Sequence, residues 1–500
     1  MALDPRTPVL VGGGQFNNRV DDGAAALEPV DLVVAAARRA AADTGAADPG
    51  KVLAALDSVR IVSMLSWRYR DPGRLVAERV GAEGVHTIYT SPGGNTPQSL
   101  VNRTCRDIVA GTVDVVLIGG GEAWRTRTTI RGSGGTPEWT KEADDVEPDE
   151  SYGDFAMESM VGPLELARGV VAPVQVYPMF ESALRAAAGA TNEEWAERIG
   201  RLWSAFSEVA AGNPNAWIQQ AFTPEELVTA GPDNRMIGFP YPKRLNSNNA
   251  VEQGGALLLC SADAAERLGI PRDRWVFPHA GTDTHDTAHV TNRTDLRSSP
   301  AMRVGGRRVL ELAGVGVDDV AHADVYSCFP SAVQIAAAEI GLGLDRPLTV
   351  TGGLSFAGGP WNNYVTHSIA TMATVLRGDP GAVGLITANG GNITKHAFGV
   401  YSTEPPAAGY RWEAPDAEVT ALETPVATAD AAYAGAVTVE AFTVMHDRDG
   451  NPETGIAGVR TADGARSWAR TTDAPTMAAM LTGDFVGKAG EIDAEGTLSV

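Results

Sequence analysis

Short apolar runs alternate with stretches of helical spacing from the first residues onward: PVLVGGG, VDLVVAAARRAAADTG, DSVRIVSML, GRLVAERVG, VHTIYT, SLVNRTCRDIVAG and VDVVLIGGG. Buried β-branched strands followed by helices predict an α/β fold, a mostly parallel sheet with crossover helices. Residues 1–122 make one such half. The rhythm fades over 123–243, where the acidic KEADDVEPDE and the amphipathic NEEWAERIGRLWSAFSEVA predict an inserted loop region over the sheet. It returns at 244–262 with GGALLLCSADAAERLG, and a second α/β stretch, 263–411, runs through RWVFPHAG and ADVYSCFPSAVQIAAAEIG to AVGLITANGG.

The two stretches share an order. SPGGNTP, a helix and GTVDVVLIGGG in the first parallel FAGGPWN, a helix and PGAVGLITANGG in the second, which predicts a duplicated unit of strand, glycine pair, helix, strand and glycine pair. Beyond the connector STEPPAAGYRWEAPDAE, residues 412–500 alternate in short strands with turns at DRDGN and ADG, and the helical APTMAAML follows the third. Five strands with a helix after the third predict a small barrel of the oligonucleotide/oligosaccharide-binding (OB) type.

Charge narrows the partners. With 40 Lys plus Arg against 62 Asp plus Glu, the net charge of -22 opposes nucleic acid and anionic membranes. The barrel is therefore expected to pack on the core or on a protein partner. The basic runs WRTRTTIR and Lys243–Arg244 are either local anion sites or solvated surface arginines. Three cysteines without paired spacing argue against disulfides and a thiolate zinc site. No apolar run reaches a membrane span and MALDPRTPVLVGGGQF lacks a basic leader, so the expectation is a cytoplasmic, non-embedded protein.

Several motifs read as structure. VLVGGGQFNN has Asn17 where a dinucleotide fingerprint needs its third glycine, leaving a tight strand-to-helix turn as the reading. His285 and His289 lack a third ligand and read as a surface loop, so no metal is expected. Cys105 sits inside a helical pattern, where it reads as a buried apolar residue.

Four turns remain: SPGGNTP, YSCFP, SFAGGP and TANGGN. Their order and spacing resemble the thiolase superfamily, and GNPNAWIQQAFTPEEL and QGGALLLCSADAAERLG are similar to sterol-carrier-protein type thiolases. With YSCFP and the fused barrel, the pattern most closely resembles the thiolase-like proteins of type 1, often labelled acetyl-CoA acetyltransferases. The resemblance implies a duplicated αβαβα core with an inserted loop domain, and coenzyme A or acyl-CoA as ligand. It places the family's nucleophilic cysteine at Gly94, the histidine of its GHP motif at Gly359, its second cysteine near Ala388, and its NEAF or HDCF motif on Tyr326, Ser327, Cys328 and Phe329.

Neither matched position offers a nucleophile or base for covalent acyl transfer. Backbone N–H groups of a glycine turn can still hold a thioester or enolate oxygen, which makes Gly94, Gly359 and Gly390 the expected pocket. Similarity to thiolase-like aldolases of steroid side-chain breakdown makes Tyr326 a candidate proton-transfer residue, with Cys328 or Ser327 as a relocated nucleophile in a third reading. Arg125, Lys243, Arg244 and Asn249 are the candidates for meeting CoA. Thiolase cores commonly pair through the strand before the nucleophile turn, here VHTIYT, so monomer and homodimer both stay open.

Overall fold

The apolar runs become two sheets facing each other across a pair of buried helices, in a computed structural model that describes residues 3–19, 26–153 and 160–500. The strands of the first half are β1 (Pro8–Asn17), β2 (Ser58–Ile61), β3 (His86–Thr90), β4 (Val115–Ala123) and β5 (Glu150–Tyr152). A hairpin of β6 (Met236–Gly238) and β7 (Tyr241–Pro242) precedes β8 (Glu252–Ser261), which closes this half. The sheet order is β1-β8-β4-β2-β3-β5. It is mixed rather than mostly parallel: β4, β2, β3 and β5 run parallel, while β8 is antiparallel to both β4 and β1.

The second half holds β9 (Phe277–His285), β10 (Val320–Asp324), β11 (Val383–Gly390), β12 (Lys395–Ser402) and β13 (Arg411–Glu413), in the order β10-β11-β12-β9-β13. Its β10-β11-β12-β9 pattern of one parallel and two antiparallel pairs repeats that of β2-β4-β8-β1. The duplication fails at one place. The segment before GGP, the counterpart of β3, is no strand, although Val325 N–H still donates to the Leu348 carbonyl at 2.9 Å. The buried Asp324 carboxylate takes the N–H groups of Val350 and Thr351 and the hydroxyls of Thr349 and Thr351, and these bonds replace a ladder.

VGGGQFNN corrects the turn expected there, since β1 continues through it to Asn17. A Cβ at Gly12 or Gly14 would collide with the carbonyls of Ala40 and Ala36 on the helix Pro29–Asp43, and one at Gly13 would lie 2.9 Å from Ala370 Cα on the helix Tyr364–Gly378. The run is glycine because helices press on both faces of the strand. The helix Thr96–Ala110 lies between the two sheets, so its polar face is buried as well as its apolar one. Gln98 donates to Asn102 and accepts from the Tyr401 hydroxyl, both at 2.8 Å, and Asn102 donates to Asp283 at 2.9 Å, so the buried polar groups satisfy one another.

β14 (Gly435–His446), β15 (Pro452–Thr461), β16 (Arg466–Thr471), the helix Ala474–Thr482, β17 (Ala489–Ile492) and β18 (Leu498–Ser499) form the third sheet. Its order, β16-β15-β14-β17-β18, closes where Arg470 pairs with Thr497, giving the OB-type barrel. The interior is Phe442, Val444, Val459, Met480 and Phe485, while Ala441, Ile456 and Trp468 face the α/β core. Gly238 in the inserted region pairs with Met445, so the barrel sheet extends into the core. Another part of that region, β5, covers β3 along its outer edge, the edge expected to pair in a dimer.

Candidate functional site

The four turns meet between the two sheets. SPGGNTP joins β3 to the helix Thr96–Ala110, and TANGGN leaves the end of β11. They touch: a Cβ at Gly390 would meet Asn95 Oδ1 and lie 3.2 Å from the Gly94 nitrogen and 3.3 Å from Gly93 Cα. The third turn is tied to the first through Asn362, which accepts from Gly93 N–H at 2.9 Å and donates to the Ser63 carbonyl at 2.9 Å. The Gly94 amide has no acceptor among the described residues.

Tyr326 is brought against Gly94. Its hydroxyl and the Asn389 carbonyl stand where a side chain at 94 would start, and its Cζ would be 2.8 Å from that Cβ. Gly94 has no positive φ, so the space alone requires glycine. Tyr326 is fixed by its amide, which donates to Thr387 Oγ1 at 2.9 Å, and by an edge-on contact with the Tyr364 ring at 5.6 Å. Tyr364 in turn donates to Asp324 at 2.9 Å. Burial, with the neighbouring Cys328 adding to it, pushes the Tyr326 phenol well above its ordinary value, so it stays protonated.

Cys328 is as buried as Tyr326 and lies beside Tyr177 and Asn389, and Asn389 Nδ2 donates to the Tyr177 hydroxyl at 3.1 Å. Burial pushes the thiol up to about 12 although Tyr177 hydrogen-bonds to it. A thiol raised in this way favours its protonated form at neutral pH and is a poor nucleophile. Ser327 is buried too and accepts from Leu354 N–H at 3.3 Å.

Gly359 sits apart from Tyr326, against the segment before β8. A side chain there would strike Ser247 Oγ and come 3.0 Å from Asn249 Oδ1, and its amide donates to the Asn248 carbonyl at 2.9 Å. Asn249 thus borders the third turn. Lys243 is exposed, six residues earlier, and Arg244 stacks on Phe222 at 4.4 Å. Arg125 lies on the helix Trp124–Gly132, its amide donating to Val251 at 3.4 Å. Cys105 is fully buried, and His285 ends β9 and pairs with Asp416 at 3.4 Å. Among the described residues no cluster could hold a metal ion.

The sequence did not single out Tyr177, Asn389, Asn95 or Asn362. The last three lie inside or beside the glycine turns, and asparagine next to a glycine turn is a usable signal. Tyr177 comes from the inserted helix Pro173–Ala188 and carries no local mark. The side-chain oxygens of Asn95, Asn389 and Asn392 are buried without a partner among the described residues.

At the end of β4, the buried Glu122 accepts from the amides of Leu65 and Ser66, each at 2.7 Å. Burial still raises its carboxyl from 4.5 to about 7. Between those values the folded protein keeps a proton that the unfolded chain has released, so stability falls as pH rises through this window and levels off above it. The loss is about 3 kcal/mol. Denaturant titrations at pH 5 and pH 8 are expected to show a smaller difference in Glu122→Gln than in the native protein; equal differences would contradict this.

Residues 416–497 match the family model of the thiolase-like protein type 1 additional C-terminal domain. Over the full length of both chains, the protein is 33% identical to a monomeric SCP2-thiolase like protein type 1 (STLP1) from Mycobacterium smegmatis, with a TM-score of 0.84. The Ltp2-ChsH2(DUF35) aldolase is 18% identical, matching 80% of this chain and 99% of that one with a TM-score of 0.60. The dimeric peroxisomal thiolase of Saccharomyces cerevisiae is 13% identical, over 81% and 99%, with a TM-score of 0.56. These two share the fold. The thiolase-like core, the fused barrel and the full-length identity together show that the chain belongs to the thiolase-like protein type 1 family.

Proposed function

We propose that this chain is an acyl-CoA-binding protein of lipid metabolism, placed in the cytoplasm, that does not perform ordinary thiolysis. The observation that carries the reading is the Tyr326 hydroxyl standing over Gly94, where the family's cysteine would project. Gly359, hemmed in by Ser247 and Asn249, supplies no base, and the Cys328 thiol is un-ionised at neutral pH. What is left suits recognition of a thioester. The Gly94 amide can donate to its carbonyl, Asn249 borders the third turn, and Lys243 and Arg244, a few residues earlier in the chain, are the cations proposed to meet CoA phosphates.

A second reading, an acyl-CoA lyase of the aldolase kind, is favoured by the state of Tyr326. A phenol kept protonated serves as an acid, donating to the enolate left on the thioester as the carbon–carbon bond breaks, while the β-hydroxyl gives its proton to solvent and becomes a carbonyl. A single-chain state fits both readings, because β5 covers the edge of β3 and the STLP1 relative is monomeric.

Calorimetric titration with CoA, acetyl-CoA and a long-chain 3-hydroxyacyl-CoA tests the first reading. Affinity is expected to rise with the acyl group, and thiolytic cleavage of a 3-ketoacyl-CoA to be undetectable; robust thiolysis would end it. For the second reading, Tyr326→Phe is expected to lower lyase turnover by about 100-fold or more, with CoA affinity unchanged. Full turnover in that variant would remove Tyr326 from the chemistry.

A further inference from the structure

Many arginines of this acidic chain are tied to carboxylates, among them Arg60 to Asp107, Arg79 to Glu28 and Asp31, Arg308 to Glu413 and Glu418, and Arg377 to Asp43. Three on one face are not. Arg68, Arg127 and Arg131 line a single cavity of about 480 Å³ between the segment after β2 and the helix Trp124–Gly132, and none forms an ion pair among the described residues. Arg127 and Arg131 stand four residues apart on that helix, close enough to repel each other. A like-charged pair at this spacing destabilises a helix unless an anion lies between.

The surroundings hold the charges in place. Arg127 stacks on Trp124 at 4.6 Å and donates to the Leu65 carbonyl at 3.3 Å, and Trp124 packs against Trp361 at 4.9 Å. Glu122, whose charge acts on Arg127, is engaged by the amides of Leu65 and Ser66 and shapes the segment that forms the opposite wall. Trp67, Tyr69 and Tyr89 complete the lining. Guanidiniums at the mouth of an aromatic-walled cavity match a phosphate-bearing small molecule, whose oxygens accept charge-assisted hydrogen bonds.

The geometry points to a phosphate-binding site formed by Arg68, Arg127 and Arg131. Lys243, Arg244 and Asn249 do not line this cavity, and the site does not depend on the acyl-CoA reading. The Ser63 carbonyl on its inner wall is joined through Asn362 to the Gly93 amide, so one hydrogen-bonded layer separates this cavity from the glycine turn.

The test is calorimetry on the full chain with inorganic pyrophosphate, with the phosphorylated-ADP end of CoA as a free nucleotide, and with CoA itself. Native protein is expected to bind pyrophosphate or the nucleotide, with affinity falling as salt is raised. Arg127→Gln and Arg131→Gln should each weaken it about tenfold, and Arg68→Gln, on the opposite wall, should do the same. Arg68 and Arg131 carry no ion pair, so their variants should not lower the melting temperature, whereas Arg127→Gln also gives up its stacking on Trp124 and its bond to Leu65 and is read against those two. Pyrophosphate binding alone identifies a free phosphate as the source, and selective nucleotide binding identifies the CoA end. No binding of either, or binding untouched by all three variants, overturns the site. If CoA binds while neither pyrophosphate nor the nucleotide does, the acyl-CoA reading stands and this one fails.

Discussion

Gly94→Cys, which restores the family's nucleophile on paper, is expected to weaken the protein and to give no thiolytic activity. The new Cβ would overlap the Asn389 carbonyl and the Tyr326 hydroxyl at once. The carbonyl cannot retreat, because Asn389 pairs with His396 in the β11–β12 ladder. Tyr326 is held by Thr387 and Tyr364. Overpacking of this kind costs about 1–3 kcal/mol, or a melting temperature lower by roughly 2–4 °C for each kcal/mol in a unit of 150–250 residues. Adding Gly359→His would not supply the base, since Ser247 and Asn249 occupy its place. A cycle with Tyr326→Ala separates the two obstacles: the double variant should recover only the tyrosine's share of the loss, because the carbonyl stays. A Gly94→Cys protein as stable as the native one, or able to cleave a 3-ketoacyl-CoA, would contradict the packing described for this turn.

Gly94 also shows where sequence reading stops. Its place in a strand–turn–helix could be counted from the well-marked β4, and the glycine turns, the duplicated halves and the barrel all follow local rules of strand, turn and helix. What fills the space above Gly94 is not local, since Tyr326 arrives from the other half of the chain and Tyr177 from the inserted region. The missing counterpart of β3 illustrates the same limit. The duplicated unit calls for a strand ahead of FAGGPWN, yet one buried carboxylate, Asp324, takes the hydrogen bonds of Thr349, Val350 and Thr351. GGGQF reads as a turn, yet its glycines record the approach of two helices that lie far apart in sequence. The arginine cavity was hidden for a related reason: WRTRTTIR suggested a basic run, but only the fold shows Arg127 and Arg131 meeting Arg68.

The barrel's attachment supplies the second large effect. Arg466 in β16 is fully buried and spans the junction. Its Nη1 donates to the core carbonyls of Val290, Thr291 and Arg293 at 3.1, 2.8 and 2.6 Å, while Nε and Nη2 grip Glu440 of β14 at 2.7 and 2.8 Å. Trp468, two residues on and on the same face, donates to Thr291 Oγ1 at 2.7 Å. Arg466→Met keeps the apolar stem but strips three carbonyls of their donor and leaves Glu440 with Arg460 alone. Breaking a buried pair in this way costs about 3–5 kcal/mol. Calorimetry should then resolve a barrel transition some 10 °C or more below the native melt, taking roughly 4–8 °C per kcal/mol for a unit of this size, with the core transition little moved. Arg460→Met is the control, because Arg460 bonds Glu440 but reaches the core only at the Thr294 carbonyl. It should lower the melt by much less. If both variants melted together with the native protein, the junction would have to be held by its apolar contacts, Ala441, Ile456 and Trp468, rather than by this guanidinium.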